Sequence, residues 1–78
     1  MMKFYIIKTE TLEEGYENAP HLSFIAWDGN SKPIRENMAK AHRYFTIEGV
    51  KEAIKRGNIN KEKWKPYLLT MNANEVVD

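Results

Sequence analysis

Residues 44–57 read Tyr-Phe-Thr-Ile-Glu-Gly-Val-Lys-Glu-Ala-Ile-Lys-Arg-Gly, and this stretch decides the fold. Thr46 is placed as a helix N-cap, its hydroxyl able to accept a hydrogen bond from an amide of the first turn. Phe45 before the cap and Val50 four residues into the helix have the spacing of a hydrophobic staple. Ile47, Val50 and Ile54 share one face, with Ala53 beside them, so the segment predicts an amphipathic helix over 46–56. Lys55 and Arg56 suit the negative helix end, and Gly57 fits a left-handed closing position. A helix with a single apolar stripe needs a second layer, and the flanking sequence supplies strands.

Upstream, residues 3–9 are aromatic and β-branched, with Phe4 and Ile6 on one face and Tyr5 and Ile7 on the other. Residues 10–20 are polar and hold Gly15 and Pro20, which predicts a long exposed loop. Residues 21–28 read as a second strand, with Phe24 and Ala26 opposing Ile25 and Trp27. Asp28-Gly29-Asn30 follows as a turn signal, and an antiparallel pair with the first strand is the natural inference. In residues 31–42, Ile34, Met38 and Ala41 recur at helical spacing behind a capping Ser31 and a first-turn Pro33, so a short helix is expected there. A short strand over 43–45 then leads into the capped helix.

Downstream, Asn60 can cap one helical turn over 61–65, with Ile59 and Trp64 spaced as a second staple. Pro66 ends that turn, residues 67–71 read as the last strand, and residues 72–74 look like a further turn. The expectation is one α+β domain over residues 1–78. It has two layers: a three- to four-stranded, mostly antiparallel sheet, with the 46–56 helix as its main helix and the 31–42 helix as a shorter one.

Composition narrows the function classes. The 78 residues are 42% hydrophobic, with two tryptophans, four tyrosines and three phenylalanines, enough for one small core. There is no cysteine, so disulfides and thiolate metal sites are excluded, which fits a reducing compartment. The apolar run at 4–7 is too short for a signal-peptide core or a membrane span, and a cytoplasmic protein free of membranes is expected.

No catalytic constellation is legible. His21 and His42 lack metal-ligand spacing, and Asp28 to Pro33 starts like a calcium loop, but Lys32, Pro33 and Ala39 occupy positions that such a loop cannot give to those residues. The glycines form no phosphate loop, and Ser23 and Ser31 sit in no nucleophile elbow. The reading is of a protein that is not an enzyme and carries no cofactor or metal.

Two surfaces remain. The first two strands are apolar on both faces, yet the main helix covers only one. Tyr5, Ile25 and Trp27 therefore mark a face to be closed by the 31–42 helix, a second copy in a homodimer, or a protein partner. The 10–20 loop, with Glu13, Glu14 and Tyr16, joins them as an interface candidate. The net charge is only +1, but bases gather between 51 and 65. Lys51, Lys55, Lys61 and Lys63 around Trp64 are what a nucleic-acid binder uses, which gives the alternative reading.

Phe4-Tyr5-Ile6-Ile7-Lys8, Trp27, and the series Ala41, Phe45-Thr46, Val50, Ala53-Ile54 also carry a likeness. Their layout resembles that of small orphan proteins encoded by phages and prophages of Gram-positive bacteria. The resemblance spans about two-thirds of the chain and leaves out the 10–20 loop and everything after Gly57. It implies a protein that binds and inhibits a host, competitor or defence protein. The near-neutral charge speaks against an acidic DNA mimic.

Overall fold

The computed structural model describes residues 2–11 and 13–71; the turn expected at 72–74 lies outside them. Four strands and one helix follow in the order β1 (Met2–Thr9), β2 (Phe24–Trp27), β3 (Pro33–Glu36), α1 (Ile47–Arg56) and β4 (Trp64–Met71), with 3₁₀ turns at Pro20–Leu22 and Met38–Lys40. The strands form one antiparallel sheet ordered β3-β2-β1-β4, with α1 on one face. The architecture is α+β.

The capped segment forms as its chemistry dictates. The Thr46 Oγ1 accepts from the Gly49 amide at 3.0 Å, and Val50 and Ile54 are buried against the sheet. Fully burying a side chain such as Val50 contributes about 1.5–3 kcal/mol. Two details differ from expectation. Phe45 is 75% exposed, so it makes no staple with Val50. Gly57 is right-handed at φ −79°, and the positive φ falls on Asn58. Glycine is needed at 57 for a different reason: a Cβ there would lie 2.7 Å from the edge of the Trp27 ring.

The 31–42 helix does not form. Asp28 Oδ1 accepts from the Asn30 and Lys32 amides at 2.8 and 2.9 Å, closing a five-residue loop in which Ser31 takes φ 60°. Pro33 then enters β3 opposite Trp27, and Arg35 pairs with Ile25. The outer edge of β2 needs a partner for its backbone groups, and that demand outweighs a three-residue helical spacing. Only the 3₁₀ turn at Met38–Lys40, capped by Asn37, is helical there.

Strands β1 and β2 pair only where Lys8 meets Phe24 and then fork. Residues 42–44 fill the fork: His42 donates its amide to the Ile25 carbonyl at 3.0 Å, and Tyr44 exchanges both backbone bonds with Tyr5 at 2.7 and 2.9 Å. The expected strand over 43–45 is thus a single bridge at Tyr44.

Strand β4 begins at Trp64, three residues before the expected start, and runs through Pro66. The register explains how. Thr9 and Tyr5 direct their backbone groups toward β2 and residue 44, so the even-numbered residues of β1 face β4. Their partners Lys65, Tyr67 and Leu69 carry the ladder, while Trp64, Pro66, Leu68 and Thr70 turn their backbone groups outward. The Trp64 amide indeed goes to the Asn60 carbonyl at 2.9 Å. The missing amide of Pro66 therefore costs no ladder bond. Asn60 caps a plain turn over 61–63 in place of a helical one, with its side chain accepting from the Glu62 amide at 2.9 Å.

The core has two sides. Under α1, Ile7, Ile25, Val50, Ile54 and Trp64 are buried, with Tyr5, Trp27, Tyr44 and Ile59 packed around them. On the other face Phe4, Ile6 and Ala41 are buried beside Phe24, Tyr67 and Leu69. The expectation that Tyr5, Ile25 and Trp27 form the face away from the helix is thus overturned. Both faces of β1 are apolar, and the helix takes the one that Val50 and Ile54 fit.

Candidate binding groove

The end of α1, the turn that follows it and the start of β4 enclose an open groove of about 880 Å³. Ile54, Ile59, Trp64 and Pro66 form its apolar floor, and Lys51, Lys55 and Lys61 its rim, with Asn58, Asn60 and Glu62 between them. The helix period brings Lys51 and Lys55 to the same side one turn apart, and Lys61, in the turn capped by Asn60, lines the same groove. None of these three lysines pairs with a carboxylate among the described residues. The expected basic cluster therefore exists, with two changes. Lys63 is exposed but does not line the groove, and Trp64 is only 7% exposed, so it offers no open ring for stacking.

Trp64 also faces a second constellation. The Arg35 guanidinium lies between two rings, 4.0 Å from the centre of Tyr16 and 4.8 Å from that of Trp64. Its Nη1 donates to the Leu22 carbonyl at 2.8 Å. Its Nη2 lies 3.2 Å from Glu13 Oε2 without an aligned hydrogen bond, so that contact is a charge pair. Arg35 is not legible from sequence, because Ile34, Met38 and Ala41 around it mimic a helical face. Its contacts show that Glu13 and Tyr16 anchor the 10–20 loop to the body, whereas Glu14 is exposed.

The remaining candidates are structural. Ile25 is buried under α1, Tyr5 is half-buried there, and Trp27 donates its indole N–H to the Tyr44 hydroxyl at 2.6 Å. Burial pushes the Tyr44 hydroxyl's pKa up, against the lowering effect of that donor. At the surface, Lys8 reaches Glu10 at 3.0 Å and holds its carboxyl below the usual range, with Tyr67 as a further donor.

His21 and His42 are both exposed. Among the described residues no three histidine, aspartate or glutamate side chains gather to hold a metal ion, and no helix is long and apolar enough to cross a membrane. Compared with known families, curated proteins and solved structures, the chain matches none.

Proposed function

We propose that the protein is a non-enzymatic binding module of the cytoplasm that engages a protein partner through the lysine-rimmed groove. The supporting observation is the pairing of an apolar floor with three uncommitted ammonium groups. Apolar contact supplies affinity at such a surface, and rim charge supplies orientation and partner choice. This role is the one that the sequence's likeness to small phage and prophage proteins implies, and covering a surface of the bound protein is how it would act. Tyr5, Ile25 and Trp27 pack in the core under the helix, so the interface in this reading is the groove beside the end of α1.

A second reading, nucleic-acid binding, draws on the same gathering of Lys51, Lys55 and Lys61. It loses ground because Trp64 is buried and the net charge is only +1. Affinity purification from native host lysate decides between the two. Charge reversal at Lys51, Lys55 and Lys61 is expected to abolish capture of a protein, with nuclease treatment making no difference. Capture that survives charge reversal, or vanishes with nuclease, defeats the proposal.

A further inference from the structure

The groove runs beside a free sheet edge. Strand β4 is the outermost strand on the side that α1 covers, and no described segment pairs with its outer edge. The register leaves the amides and carbonyls of Leu68 and Thr70, and the carbonyl of Pro66, directed outward along that edge. Leu68 is 51% exposed on the helix side of the sheet. Pro66 lines the same groove as Lys51 and Lys55. A strand laid along β4 would continue the sheet beneath the helix and point alternate side chains into the groove.

We infer that the partner is an extended acidic segment that adds to β4 as a fifth strand, an inference that rests on the groove reading above. Charge complementarity selects this occupant. Lys51, Lys55 and Lys61 have no carboxylate partner among the described residues, outnumber the one acid of the groove, Glu62, and line the same groove as Pro66 of β4. A second copy of this chain answers the rim poorly, since its β4 carries Lys65 and no acid. The main-chain bonds supply affinity, and the alternating carboxylates set the register. Pro66, with no amide to offer, leaves the first part of the edge less adhesive, so recognition falls on Leu68 and Thr70 together with the lysines.

The probe is a peptide of alternating aspartate and valine, titrated at low salt and followed by amide exchange. Saturable binding is expected, with the Leu68 and Thr70 amides becoming protected. Methylation of one alternate set of peptide amides should abolish binding, and methylation of the other set should not. The combined variant Lys51→Gln, Lys55→Gln and Lys61→Gln should weaken binding about 10-fold. Absence of saturable binding overturns the inference. Binding that needs the lysines but leaves Leu68 and Thr70 unprotected overturns strand addition alone and leaves the groove reading standing. Binding indifferent to the lysines overturns both. Preferential binding of an oligothymidylate, lost in the same variant, assigns the rim to nucleic acid instead, and light scattering that shows a dimer lost on Leu68→Lys assigns the edge to a second copy.

Discussion

Arg35 and the groove lysines are neighbours across one indole, yet they use their charge in opposite ways. Arg35 is enclosed by Tyr16, Trp64, Glu13 and the Leu22 carbonyl, and its side chain is 11% exposed. Lys51, Lys55 and Lys61 stand at the rim of an open groove and pair with no carboxylate among the described residues, although Glu62 also lines it. A planar guanidinium between two rings is committed to holding a loop in place, whereas flexible ammonium groups left unpaired remain available to something outside the molecule. Position in a cationic cluster therefore says little about function until each charge's partners are known.

The contrast can be broken at its shared element. Trp64→Ala removes the floor of the groove and one face of the Arg35 sandwich together. Cavity formation at a buried tryptophan should cost about 3–5 kcal/mol, close to the whole stability of so small a domain, measurable by urea unfolding. A sharper cut is Arg35→Lys, which keeps the charge and loses the planar stacking and the fork. It should cost about 1–2 kcal/mol and raise amide exchange at Tyr16 and Ala19 while leaving β4 protected. The smallest effect is expected on the other side of the indole. Replacing Lys51, Lys55 and Lys61 together with glutamine should leave unfolding stability within about 0.5 kcal/mol. A larger loss there would mean that those charges are structural after all.

What could be read directly from the chain was local. The Thr46 cap, the Val50 and Ile54 stripe and the alternation of β1 and β2 depend on neighbours a few residues away and formed, although β2 spans only Phe24–Trp27 of the expected 21–28, with Pro20–Leu22 in a 3₁₀ turn. The lysines of the groove were legible because helix period and a short capped turn bring them together. The misread elements depend on distant partners. Ile34, Met38 and Ala41 mimic a helical face, and only the unpaired edge of β2 decides against it. Phe4 with Ile6 and Tyr5 with Ile7 are equally apolar pairs, so nothing local says which pair the helix covers. Arg35 as an anchor depends on Tyr16 from one loop and Trp64 from the last strand, a meeting that no spacing announces.

The ladder between β1 and β4 joins Met2 to Met71 and Thr9 to Trp64. Its consequence lies in biosynthesis. On the ribosome, β1 emerges early and must hold its apolar residues without its long partner until nearly all of the described chain has been made. The β2–β3 hairpin and α1 can take shape in the meantime, but the sheet that gives α1 its seat closes only when β4 arrives. A nascent chain stalled before Trp64 would expose one edge of β1 along with Ile7 and Phe4, which makes the interval before β4 emerges one in which this domain is open to proteases and to chaperones.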